Sequence, residues 1–270
     1  MRCFKGTAVA AAFAVSFMSM ACGGSRSGKP EFNKAANPDA IRKLMTPVSI
    51  ETSQDGIALA ILLDTSGSMK DPVPGNDSRP VPKIQVAQFA LMDLIRLINI
   101  FIKENPSKNV LVGIYEFSSR KGQPSCRQVV KLGAPDAAAA ETAIRSLVPE
   151  GTTPIGDAMI AAQQDLDRSG ISKRHILVIT DGENTVGYLP GDVAKVISQE
   201  PADLRSAVYF IAFDVGAEVF DSVKNAGGLV VAATSERQLT DALDFILSGK
   251  VLVQPEGTPY PPHPAFSGRK

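Results

Sequence analysis

Ile57-Ala58-Leu59-Ala60-Ile61-Leu62-Leu63-Asp64-Thr65-Ser66-Gly67-Ser68 runs from unbroken apolar sequence straight into a carboxylate and hydroxyls. A continuous apolar run, closed by a Gly-containing turn, fits a strand buried on both faces. Its tip then offers hard oxygen atoms, the donors that a hard divalent cation such as Mg²⁺ prefers. The stretch therefore predicts both an architecture and a chemistry.

Outward from this run, apolar strands alternate with amphipathic helices. Strands are expected at 57–63, 110–117, 128–132, 176–180, 208–213 and 229–233. Helices are expected at 83–103, 136–147, 154–168, 192–198, 219–225 and 236–247. The helix from Lys83 carries Ile84, Ala87, Leu91, Leu94, Ile95 and Ile98 on one face, with Pro82 at its start. Buried strands separated by helices imply an α/β fold. The expected form is a doubly wound, mainly parallel sheet with helices on both faces and one antiparallel edge strand at 128–132. Open sheets of this kind bind ligands at the carboxyl ends of their strands.

Polar clusters fall at that edge: Asp64-Thr65-Ser66-Gly67-Ser68, Gly151-Thr152-Thr153-Pro154-Ile155-Gly156-Asp157 and Thr180-Asp181-Gly182-Glu183-Asn184. Ser66 and Ser68 can face one point, Asp64 can hold a water or the serine hydroxyls, and Thr153 and Asp181 can arrive from neighbouring loops. The candidate metal residues are thus Asp64, Ser66, Ser68, Thr153 and Asp181, with Mg²⁺ or Mn²⁺ as the ion. Three hydroxyls and two carboxylates are expected to leave the ion incompletely neutralised, with room for an acidic side chain from a partner protein. Asp157 reads as a complement to the helix dipole, Glu183 and Asn184 as rim residues, and His175 as a solvated residue ahead of a strand.

These residues resemble the von Willebrand factor type A domain and its metal-ion-dependent adhesion site. Asp64, Ser66 and Ser68 match the Asp-x-Ser-x-Ser element. The segment from Gly151 to Gly156 resembles the threonine loop, with Thr153 the better match and Thr152 a rival. Ile179-Thr180-Asp181-Gly182 matches the last element. The resemblance covers roughly residues 57–247. It implies direct metal contact by Ser66, Ser68 and Thr153, with Asp64 and Asp181 acting largely through water or hydrogen bonds. A Pro-rich insertion at 71–81 departs from the pattern and is expected to overhang the site.

The flanks read differently. Arg2 and Lys5 precede an apolar segment, Ala8 to Met18, and then Ser19-Met20-Ala21-Cys22, the layout of an export signal over 1–21. Cys22 resembles the acylated cysteine of bacterial lipoproteins, although Ser19 stands where such signals usually carry Leu. Residues 22–50 read as a flexible tether, 51–250 as the folded domain and 251–270 as a Pro-rich disordered tail. The expected location is the cell envelope, with a membrane anchor at Cys22 and a periplasmic or surface position; free secretion is the alternative. After signal and anchor, Cys126 is left without a disulfide partner.

Composition excludes several functions. Lys and Arg (28) balance Asp and Glu (28), there is no Trp, and no basic block occurs, so nucleic acid is not an expected partner. No Gly-x-Ser-x-Gly elbow, phosphate loop or dinucleotide fingerprint accompanies the strand tips. Only His175 and His263 could act as imidazole bases, and neither lies in a candidate loop. A non-catalytic, metal-dependent interaction domain is the leading expectation. The alternatives are a metal-dependent hydrolase and a constitutive structural component of an envelope assembly.

Overall fold

The computed structural model describes residues 38–45, 54–77 and 79–252. The signal, Cys22 and nearly all of the proline-rich tail, including His263, lie outside the described residues. Within the stretch read as a tether, Pro38–Leu44 forms a helix (α1) whose Ile41 is fully buried, so the tether does not run uninterrupted to residue 50.

The sheet has six strands. In chain order they are β1 (Gln54–Asp64), β4 (Val110–Phe117), β5 (Cys126–Gly133), β6 (Ile171–Thr180), β7 (Ser206–Phe213) and β8 (Leu229–Ala233); β2 and β3 form a separate hairpin described below. Their spatial order is β5-β4-β1-β6-β7-β8, all parallel except β5 against β4. The fold is therefore the expected doubly wound α/β sheet with one antiparallel edge. The chain leaves β1 toward β4 on one side and later enters β6 on the other. That reversal opens a crevice at the tip of β1, next to Asp64.

Residue alternation on β1 assigns the layers. Ile57, Leu59, Ile61 and Leu63 point into a core shared with α2 (Lys83–Glu104), α3 (Ala137–Arg145) and α7 (Glu236–Ile246). Ala58, Ala60 and Leu62 point the other way, toward α1, α4 (Ile155–Ser169), α5 (Pro190–Ser198) and α6 (Asp221–Asn225). The small alanines share that core with Ala158 and Ala162 of α4, which packs over the central strands. Although α2 is long and apolar enough to cross a membrane, its Ile84, Leu91, Leu94, Ile95 and Ile98 are buried in the core.

The differences from expectation are local. β6 begins at Ile171, because Lys173, Arg174 and His175 continue the strand into paired register with β1 and β7. His175 is therefore not a solvated residue before a strand: it is buried in mid-strand, its ring stacked on Tyr209 and Nδ1 3.3 Å from the Tyr209 hydroxyl. Burial pushes its pKa down to about 3, so the imidazole is neutral. The insertion after the first loop folds into the antiparallel hairpin β2 (Pro72–Pro74) and β3 (Pro80–Pro82). It leans on α7, where Glu236 Oε2 accepts a hydrogen bond from the Asn76 amide.

Candidate functional site

The loops at the tip of the sheet are joined through their backbones. The Thr65 amide donates to Phe117 O at the end of β4, and Thr65 O accepts from the Glu150 amide at 2.7 Å. The Gly67 amide donates to Gly151 O at 3.0 Å, which binds the serine loop to the threonine loop. The Thr153 amide donates to Thr185 Oγ1, and the Thr185 amide donates back to Thr153 O. Two glycines make this closeness possible. Gly151 has φ of 91°, and a Cβ there would lie 2.4 Å from Ser119 O; at Gly156 it would lie 2.0 Å from Tyr188 O.

The side chains form a continuous polar chain. Asp64 is fully buried, accepting from the Ser66 amide at 2.7 Å and from Thr180 Oγ1 at 2.6 Å. Burial pushes its carboxyl up to about 7, against the hydrogen bonds from Thr180 and Ser66, which stabilise the anion. Ser68 Oγ donates to Asp181 Oδ1 at 2.8 Å and lies 3.1 Å from Ser66 Oγ. Ser68 gives its proton to the carboxylate, and the Ser66 hydroxyl lies within hydrogen-bond distance of the Ser68 oxygen. Ser68 is exposed whereas Asp64, Ser66 and Asp181 are buried, so the cluster opens to solvent at Ser68.

Four of the sequence-predicted residues, Asp64, Ser66, Ser68 and Asp181, thus share one site. Thr153 reaches the same edge through its backbone, two residues from the Gly151 carbonyl that holds the serine loop. Its hydroxyl makes no hydrogen bond among the described residues. Thr152 is exposed, in a single β-bridge with Ser119.

Two residues not expected at the site belong to it. Lys83, the first residue of α2, is almost wholly buried; its Nζ lies 3.1 Å from Asp181 Oδ2 and 2.9 Å from Asp214 Oδ2. Burial alone would depress this ammonium, but the hydrogen bonds and charges of Asp214 and Asp181 outweigh it and hold its pKa above the ordinary value. The β2–β3 hairpin brings Lys83 back to the loop that precedes it, where its amide donates to Asp71 O at 2.9 Å. A lysine in the first turn opposes the helix dipole, and that broken local rule was the available sequence signal. Asp214 follows β7 at the same edge with φ of 59°.

Asn184 is not a rim residue. It is buried, and its Oδ1 accepts from the amides of Ile155 (2.8 Å) and Gly156 (3.4 Å), capping α4 from another loop. Asp157 lies in the first turn of α4, as expected, and also accepts from the Tyr188 amide at 3.0 Å. Cys126 is a free, partly buried strand residue whose thiol is pushed up to about 12 by burial and then by Asp165, Asp157 and Glu116, which disfavours the thiolate.

The donor chemistry fits a hard cation. Around Mg²⁺, with metal–oxygen bonds of about 2.1 Å, adjacent octahedral oxygens lie about 3.0 Å apart. The separations from Ser66 to Ser68 and from Ser68 to Asp181, 3.1 and 2.8 Å, are hydrogen-bond lengths that are also compatible with that edge. No cluster of three or more His, Cys, Asp or Glu suited to a metal occurs among the described residues, so an ion here would depend on hydroxyl oxygens.

Residues 59–183 match the family model of the von Willebrand factor type A domain. No curated protein matches the sequence. Among solved structures, the chain is similar to the SpRpn10 VWA domain (16% identity, TM-score 0.52, covering 72% of this chain and 95% of that one). It is also similar to the PilB minor pilin from Streptococcus sanguinis (17%, 0.54, 76% of this chain but only 63% of the pilin). A third similar structure is the vWF domain of the type V pili tip protein Mfa5 from Porphyromonas gingivalis (12%, 0.56, 78% and 99%). At these identities the likeness is one of fold. The family match spans the serine loop, the threonine loop and Asp181, which is where the polar chain lies. Residues 59–183 of this chain thus match the von Willebrand factor type A domain, and the fold around them is of the same kind.

Proposed function

We propose that the domain is a non-catalytic interaction module that holds Mg²⁺ or Mn²⁺ and, through it, captures an acidic side chain of a partner protein. The observation that carries this reading is the Ser66–Ser68–Asp181 chain, whose oxygen spacings suit adjacent positions around a small divalent ion and whose Ser68 is open to solvent. Ser66, Ser68 and Thr153 would supply neutral oxygens, and Asp181 would supply charge. Asp64, with both carboxylate oxygens already hydrogen-bonded, would fix the serine loop. The bound ion would supply a Lewis-acidic position for an outside carboxylate.

The features that support binding over turnover are chemical. His175 is neutral, buried and stacked on Tyr209 within β6, away from the loops, and cannot serve there as a general base. Export to the cell envelope, with an anchor at Cys22, belongs to the same reading and rests on the N-terminal sequence. Pilus proteins among the similar folds are compatible with it.

The test is capture of envelope proteins on the immobilised domain in Mg²⁺ and in excess EDTA, with Ser66→Ala as control. A partner lost both in EDTA and with the Ser66→Ala variant is the expected result, with the melting temperature of that variant nearly unchanged. A partner retained in EDTA contradicts the reading.

A further inference from the structure

Counted as charges, Asp64 and Asp181 already cancel a divalent ion. Lys83 changes the count. Its Nζ is 3.1 Å from Asp181 Oδ2, on the carboxylate whose other oxygen receives Ser68, and both side chains are almost fully removed from water. The partner of Lys83 on its other side, Asp214, lies 2.9 Å away and is 40% exposed, so the ammonium is shared between a buried carboxylate and one that faces water. The backbone that carries the ammonium is anchored: the start of α2 is tied to Asp71, and Ile84, Val86 and Ala87 behind it are buried in the core.

We propose that Lys83 is a specificity-determining positioning residue, a fixed internal cation that offsets part of the Asp181 charge, so that a divalent ion in the site is less fully neutralised than the carboxylates alone would leave it and favours an anionic partner ligand. The inference rests on the metal-binding reading above and extends it. Two opposing effects follow. Lys83 repels the divalent ion and so weakens its binding. The same positive charge strengthens the attraction of the loaded site for a carboxylate, because nearby charges act through a medium less polarisable than water. Asp214 moderates both effects by drawing the ammonium outward. Asparagine in its place keeps the size of the side chain and tolerates a positive φ.

The experiment is calorimetric titration of Mn²⁺ alone into the metal-stripped wild type, Lys83→Met and Asp214→Asn, followed by titration of acetate into each loaded protein by water-proton relaxation. Lys83→Met should bind Mn²⁺ at least fivefold more tightly than wild type and acetate several-fold more weakly. Asp214→Asn should shift both in the opposite direction. A purely structural role for Lys83 would weaken Mn²⁺ binding in both variants. Equal or weaker Mn²⁺ binding by a folded Lys83→Met protein overturns the inference and leaves the metal reading standing. If Lys83→Met does not fold, unchanged or tighter Mn²⁺ binding by Asp214→Asn overturns it. Absence of Mn²⁺ uptake by the wild type overturns the metal reading, and the inference with it.

Discussion

Two buried ion pairs sit at opposite ends of the same sheet and behave differently. At the amino end of β6, Arg174 meets Asp167 at 2.8 Å, with both side chains almost wholly buried. Arg174 also donates to Ile171 O and Leu204 O, and Asp167 accepts from Gln163. That pair is closed: one cation, one anion and local acceptors for the guanidinium. At the carboxyl end, Lys83 meets Asp181, but Asp64 and Asp214 lie in the same neighbourhood and Ser68 opens the cluster to water. Here anions exceed cations and hydroxyl oxygens converge. A closed pair joins helix to strand, whereas an open, anion-rich cluster has capacity left for a ligand.

The largest expected effect breaks the closed end. Arg174→Met leaves Asp167 buried without its counter-ion, and should cost roughly 3–5 kcal/mol, or about 10 °C in Tm. Thermal melts with and without Mg²⁺ should show the same loss, because this pair takes no part in the site. A metal-dependent loss would dissolve the distinction between the two ends.

The next prediction concerns pH. His175 neighbours Arg174, and its folded pKa of about 3 lies below the ordinary histidine value near 6.5. Between those values the unfolded chain binds the extra proton, so the contribution of His175 to stability is fully present above pH 6.5 and is lost as the pH drops toward 3. The slope approaches about 1.4 kcal/mol per pH unit. Urea midpoints from pH 4 to 7 should fall less steeply for His175→Phe than for wild type. Parallel slopes would mean that the imidazole is protonated in the fold.

A smaller effect sharpens the open end. Asn184→Ala removes the cap that joins α4 to the loop of Asp181, with an expected loss of about 1–2 kcal/mol by chemical denaturation. It should also weaken Mg²⁺ binding several-fold, because Thr153 and Asp181 lose a shared tie. Unchanged affinity would show that the two loops hold their positions independently.

The same contrast explains what could be read in the sequence. Strands β1 and β7 announce themselves because both faces are buried and the runs are apolar. The first half of β6 does not, because Arg174 and His175 are accommodated by Asp167, Leu204 and Tyr209, partners distant in sequence or on another element. At the site, Asp64, Ser66, Ser68 and Asp181 are visible as polar residues just beyond apolar strands. Lys83 is not, because the β2–β3 hairpin separates it from Ser68 in sequence while returning it to Asp71 in space. Asn184 looks like loop filler until the end of α4 that it caps is in view. Short-range pattern locates the strand tips; the counter-charges and caps that complete them come from across the fold.

The most direct test of the central claim is calorimetric titration of Mg²⁺ into EDTA-stripped domain, wild type beside Ser68→Ala, with the melting temperature recorded at each end point. One bound ion per chain and a higher Tm are expected for wild type, with binding at least tenfold weaker and little rise in Tm for Ser68→Ala. Binding of equal strength in both proteins, or none in the wild type, would contradict the account.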